Sequence, residues 1–167
     1  PDIRLEIAMN QPQQKPYFDL HVQGVGYINR IRTVTPKKGA PFLACAISAI
    51  RGDAQDAERV SFDVKVVGKD AQKVITGLEA DVRARKRVLV GFKIGDPWVD
   101  SFTYEKDFVA QFDTKSHKKG DTVHKKGDTG FMLKGRLLLI RWVKVDGQDV
   151  DLGRYGVEAP QPLQDAA

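Results

Sequence analysis

The stretch over residues 17–51, YFDLHVQGVGYINRIRTVTPKKGAPFLACAISAIR, constrains the fold more than any other part of the chain. It predicts one very long strand over 18–34, a Lys-Lys-Gly turn, and a second strand over 42–51. Only Gly24 and Gly26 interrupt the β-rich pattern of the first run. Glycine weakens a strand unless the backbone must bend or bulge there. A long first strand bent at glycines suits a small five-stranded barrel, because that strand then serves both halves of the curled sheet. The same ribbon carries Arg30, Arg32, Lys37 and Lys38 beside Tyr27 and Phe42. Cations interleaved with aromatics fit a polyanion with flat bases, namely single-stranded nucleic acid.

Periodicity orders the rest. A polar loop over 52–59 leads to a third strand over 60–67, with Phe62, Val64 and Val66 as its inward row and Ser61 and Lys65 facing out. The period then becomes helical over 69–82, with Ala71, Val74, Ile75, Leu78 and Val82 on one face, although Gly77 weakens the second half. Val88, Val90, Phe92 and Ile94 mark one face of a fourth strand over 87–94, and Gly-Asp-Pro at 95–97 turns the chain into a further strand over 98–104. A polar loop fills 105–130. The fifth strand runs over 131–145 and ends at Asp146-Gly147. Three strands, a helix and two strands is the order of an OB-fold. The expected fold is therefore mainly β, a five-stranded OB barrel with one helix between strands three and four and an extended hairpin between strands four and five. Residues 1–16 read as a flexible N-terminal arm, 17–147 as the OB-fold domain, and 148–167, rich in Gln, Pro and Ala, as a flexible tail.

Several function classes find no support. Cys45 is the single cysteine, which rules out an intrachain disulfide, and it shares an apolar row with Leu43 and Ile47 that points to a buried, inert thiol. No carboxylate pair, serine elbow or phosphate loop stands out, so the chain is expected not to be an enzyme and to need no cofactor. Gly24-Val-Gly26 does not open a dinucleotide loop, because Asn29 stands where the third glycine belongs and no helix follows at once. His117 and His124 sit in a duplicated phrase, HKKGDT at 117–122 and 124–129, with Asp121 and Asp128 nearby. A Gly-rich loop cannot fix metal ligands, so no metal is expected and the phrase reads as a solvated, lengthened hairpin tip. No apolar run suits a membrane helix and no signal peptide opens the chain, which places it in the cytoplasm with no membrane partner. The chain opens on Pro1 and not Met, so further N-terminal residues are expected before it. A net charge of +5 permits an anionic partner without demanding one.

Two resemblances add context. VSFDVKVVGKDAQKV at 60–74 and GVGYINR with KKGAPFLACAIS within 24–48 resemble the third strand, helix and first hairpin of bacterial single-stranded DNA-binding proteins. That likeness implies a base-stacking role for Trp98 at the start of a β-wing, and a homo-oligomer, either a dimer or a tetramer. The chain departs from that family in ending PLQDAA where an acidic tip would recruit repair enzymes. More closely, FDLHVQGVGYINRIR, PKKGAPFLACAISAIRG and GFMLKGRLLLIRWVKVDG are similar to a replication or maintenance family carried on integrating conjugative elements.

The basic and aromatic set remains as the signal. Arg83, Arg85, Lys86 and Arg87 crowd the junction before strand four, and with Arg30, Arg32, Lys65 and Lys93 they form a candidate phosphate track. Tyr27, Phe42, Trp98, Phe102 and Tyr104 are candidate stacking faces. Phe62, Phe92 and Trp142 are left to the core or a subunit interface. The expected nucleic-acid-binding residues are Tyr27, Arg30, Arg32, Lys37, Lys38, Phe42, Lys65, Arg85, Arg87, Lys93, Trp98, Phe102 and Tyr104. The expected activity is single-stranded DNA binding of low sequence specificity, in the replication or maintenance of a mobile element. The alternative is an OB-fold scaffold that binds other proteins of the conjugative machinery and not DNA.

Overall fold

The computed structural model describes residues 17–158. The expected arm over 1–16 and the end of the expected tail therefore lie outside the described residues. The elements are β1 (His21–Val34), β2 (Phe42–Arg51), β3 (Glu58–Val66), α1 (Lys69–Arg83), β4 (Val88–Thr103), β5 (Phe108–Val109), β6 (Thr122–His124), β7 (Thr129–Val145), β8 (Gln148–Val150) and a 3-10 turn, Leu152–Tyr155. The main sheet runs β3-β2-β1-β4-β7-β8, and a parallel β3–β7 pairing joins its ends. The result is a closed five-stranded mixed barrel with one helix between β3 and β4, an OB-like architecture.

β1 serves both halves of that barrel. Its residues from His21 to Tyr27 pair with β4, and those from Gly26 to Val34 pair with β2. Gly26 stands at the changeover. A Cβ there would lie 2.7 Å from the Ser48 carbonyl oxygen and 2.8 Å from Ile47 Cγ2, so only glycine lets β2 come this close. The register shift in β1 falls away from the glycines, between Asn29 and Arg32, where Arg30 takes a φ of 51°. The glycines thus serve close approach, and the bulge is a separate feature.

The inward rows match the alternation in the sequence. Ile47, Val64, Val66, Val88, Val90, Phe92, Ile94 and Leu137 are all essentially inaccessible, and Phe62 packs its ring 6.5 Å from Phe92. α1 lays Ala71, Val74, Ile75 and Leu78 on this core. It runs past Gly77 because the Tyr155 ring lies where a Cβ would project. Asp70 in the first turn and Arg83 in the last complement the helix dipole.

The domain also continues beyond residue 147, where the sequence reading ends it. Asp146 and Gly147 take φ values of 49° and 81°, the pair of positive angles that a tight hairpin turn needs, and β8 returns along β7. Asp151 then caps the 3-10 turn, accepting from the Gly153 amide at 2.8 Å. Val157 is buried, and Leu152 and Tyr155 pack against the core. The polar composition of this segment hid the apolar anchors spread through it.

Two outcomes test this packing. Gly26→Ala should cost about 1–3 kcal/mol in a urea melt, the usual penalty for forcing a carbon into a filled site. Cys45 is completely buried, and burial first, then the nearby Asp63 carboxylate, push its thiol up to about 12 while Arg32 opposes them. A thiol reagent at pH 8 should therefore leave it untouched until the chain is unfolded; rapid native labelling would contradict the barrel interior described.

Candidate nucleic-acid interface

The outward side chains form rows that pass round the barrel. One row joins Asn29, Ala46, Asp63, Lys134 and Trp98 across five strands, and the next joins Arg32, Ala44, Lys65, Arg136 and Gly95. Two bulges decide which side chains belong to these rows. Three steps along β1 from Asn29 to Arg32 match two on β2, and three along β4 from Gly95 to Trp98 match two on β7. Strict alternation from Ile28 and Ile94 would turn Arg32 and Trp98 inward. The extra residue in each strand puts both outside.

At the centre of the rows stand Ala44 and Ala46, which leave a shallow floor. One end of this strip is built on Tyr27, with the Arg59 guanidinium 4.7 Å and the Arg87 guanidinium 5.5 Å from its ring centroid. Arg87 also donates to the Tyr27 hydroxyl at 3.0 Å. Neither guanidinium pairs with a carboxylate among the described residues, although the Arg87 backbone amide donates to Asp146 Oδ1 at 2.9 Å. At the other end the Lys65 ammonium lies 4.8 Å from the Phe42 ring and that of Lys134 5.5 Å from the ring of Trp98, which is 53% exposed. A groove of about 470 Å³ joins Phe42, Lys65, Trp98, Arg32, Asp63 and Arg136 there. Along β2 the two ends are roughly 20 Å apart at strand spacing.

The charges at the Trp98 end are largely matched. Arg32 donates to both Asp63 oxygens at 2.8 and 3.0 Å, Lys134 pairs with Asp100 at 2.8 Å, and Arg136 with Asp96 at 3.2 Å. The bond from Lys134 holds the Asp100 carboxyl below its usual range. Pairs near the surface add little to stability, so their main effect is on the local field.

Other expected site residues lie apart from the strip. Lys93 is on β4 between Gln23 and Leu139, on the outward face of β1, β4 and β7. Trp142, half-buried on that face, lies over Gly91. The cluster before β4 is divided: Arg83 pairs with Glu79, Lys86 with Asp81, and Arg85 takes a φ of 60° at the C-terminal turn of α1. Of these four only Arg87 reaches the strip. Arg30 is exposed at the bulge, and Lys37 and Lys38 are exposed in the β1–β2 turn. Arg59, Lys134 and Arg136 join the site although the sequence reading does not single them out. The polar composition of 52–59 puts Arg59 in a loop, yet stepping back by two from Ser61 places it on the outward row.

Phe102 and Tyr104 belong to the wing formed by the far ends of β4 and β7. Their rings meet edge to face at 4.9 Å, and Tyr104 stacks on His124 at 4.5 Å with 12° between planes. Trp98 and Phe102 share one face, because their partners Lys134 and Gly130 alternate on β7. Beyond them the duplicated phrase builds the same turn twice. In each, a Lys amide donates to the Asp carboxylate three residues on, at 2.9 Å for Lys118 to Asp121 and for Lys125 to Asp128. Gly120 and Gly127, with φ values of 93° and 92°, donate to the Ala110 and Tyr104 carbonyls. Lys119 and Lys126 donate through their amides to Asp113 and Asp107. These turn amides are thus occupied by carboxylates and carbonyls, so they form no anion nest. Among the described residues no group of His, Cys, Asp and Glu is placed to hold a metal ion, and no helix is long and apolar enough to cross a membrane.

A family model described as "Protein of unknown function (DUF3577)" matches residues 11–152. The chain belongs to the DUF3577 family. The matched span takes in every strand of the barrel, so the strip described above lies wholly within the family's region. No curated protein and no solved structure matches the chain.

Because each wing turn closes on its own hydrogen bonds, one can be removed. Deleting 108–113 and 117–123 leaves Thr114, Lys115 and Ser116 to close the inner turn as they now close the outer one. The shortened protein should fold with a stability within about 1 kcal/mol of the parent in a denaturant melt, since exposed tips tolerate such changes.

Proposed function

We propose that this protein binds single-stranded DNA with little sequence preference. The observation that carries the reading is the strip itself: the small side chains of Ala44 and Ala46 at the centre of the outer face of β1, β2 and β3, with cations and aromatic faces at both ends. Bases stack on Trp98, Phe42 and Tyr27, each ring contributing about 1–3 kcal/mol, and Phe102 and Tyr104 extend the aromatic face along the wing. Arg59, Arg87 and Lys65, together with Lys37 and Lys38 at the hairpin, neutralise phosphates. Lys93, Arg85 and Arg30 stand outside this path. Equilibrium binding needs no bond made or broken, and hence no cofactor. The resemblance to conjugative-element replication and maintenance proteins supports a cytoplasmic role on a mobile element, and the resemblance to bacterial single-strand binders supports assembly as a dimer or tetramer.

A second reading has an observation of its own. Val99 and Phe131, 62% and 73% exposed, stand opposite to the Trp98 side of the wing and favour a protein partner. On that reading the domain is a scaffold in the transfer machinery.

Titration with oligo-dT at two salt concentrations, followed by tryptophan fluorescence and anisotropy with duplex as control, separates them. Binding should quench more with single strand than with duplex and weaken at high salt. Trp98→Ala should lose most of the quench. The double variant Arg59→Ala, Arg87→Ala should flatten the salt slope by roughly 0.7 for each phosphate that is no longer neutralised. No binding to any nucleic acid at low salt would overturn the proposal in favour of the scaffold.

A further inference from the structure

The groove beside Trp98 holds one side chain that a phosphate-binding surface would exclude. Asp63 stands on the outward face of β3, in the same row as Ala46, Lys134 and Trp98. It lines the groove of about 470 Å³ with Phe42 and Trp98. Its side chain remains 19% exposed although Arg32 holds both of its oxygens. A carboxylate offers about four lone-pair sites, and the two bonds from Arg32 Nη2 leave acceptor capacity directed to the groove. They also fix the plane of the carboxylate, so it presents these acceptors in a constant place.

Because Arg32, Lys134 and Arg136 are each engaged by a carboxylate, a phosphodiester chain gains less by running over Asp63 than over cations without such a partner. The cations with no carboxylate partner, Arg59 and Arg87 at one end and Lys65 on the flank, offer the phosphates another path. The part of the nucleotide that faces Asp63 is then the edge of a base. Cytosine presents its N4 amino group as a donor, the contact that carboxylates make to this base in nucleic-acid complexes. Thymine presents carbonyl oxygens on either side of its single N–H, and both oppose a carboxylate.

From this placement we infer that the groove is a base-edge reader in which Asp63 accepts from an exocyclic amino group, so that the protein prefers cytosine-bearing over thymine-bearing single strands. The inference rests on the reading of the strip as a single-stranded DNA site. It turns low specificity into a bias of base type, set by one carboxylate, with stacking unaffected because the two pyrimidines have rings of similar area.

The test compares oligo-dC and oligo-dT of equal length with the full chain, at pH 8, where cytosine is unprotonated and dC remains single-stranded. The expected result is tighter binding of dC by at least about fivefold, the low end of what one such base contact discriminates. In Asp63→Asn the ratio should fall to near one, whatever happens to the absolute affinity when Arg32 is released. Asp100→Asn, which removes a carboxylate from Lys134 on the wing, should raise both affinities and leave the ratio unchanged. An oligomer carrying 2-pyrimidinone, which lacks the amino group, should bind the wild-type protein more weakly than dC, and this probe needs no variant to fold. Equal or tighter binding of dT, a ratio that survives Asp63→Asn, or 2-pyrimidinone binding as well as cytosine would each overturn the inference while leaving single-strand binding intact. Failure of both homopolymers to bind would overturn the functional reading with it.

Discussion

The parallel pairing of β3 with β7 is the constraint on which the rest of the structure depends. Phe62 to Val66 lie beside Leu133 to Leu137, and this ladder turns an open sheet into a barrel. Closure gives the inward rows of five strands a common interior, where Val64, Phe92, Ile94 and Leu137 meet with α1 against them. It also makes the outward rows continuous. Asp63 and Lys134 come from strands far apart in the chain, and only this pairing brings Trp98 of β4 into line with Ala46 of β2. The interior and the candidate interface are two sides of one ladder.

On that outer surface, charge is distributed unevenly, and the partners matter more than the number of cations. Arg32, Lys134 and Arg136 each face a carboxylate, whereas Arg59 and Arg87 share a tyrosine ring and no acid among the described residues. The two ends of the strip thus offer different chemistry: two unmatched guanidinium groups on one ring at one, and matched ion pairs with exposed aromatic faces and Lys65 at the other. A chain laid across it would meet these in a fixed sequence, which gives the strip a direction.

Much of the architecture was legible because period and burial agree. The alternation of Phe62, Val64 and Val66, and of Val88, Val90, Phe92 and Ile94, named strands and inward faces together, and the helical spacing from Ala71 to Leu78 placed α1. What alternation could not supply was phase after a bulge. Nothing in the local pattern around Arg30 or Asp96-Pro97 states that one residue is skipped, so the outward position of Arg32 does not follow from counting, and the surface role of Trp98 came from resemblance. Ion-pair partners were equally hidden: the basic run from Arg83 to Arg87 reads as one patch until Glu79 and Asp81, on neighbouring turns of α1, take two of its members. The end of the domain escaped for another reason. Asp146-Gly147 is a hairpin signal, and a hairpin implies a returning strand, yet the composition beyond it outweighed that implication.

The two bulges make the outer face depend on single residues in a way that the strand order does not. Each consists of a single inserted residue where the strand is paired on one side only, β1 with β2 and β4 with β7. Gain or loss of one codon at either place turns the following side chains over without changing the strand order. The outward positions of Arg32 in β1 and Trp98 in β4 thus each depend on one residue, and its loss would exchange outward and inward side chains together from that point on.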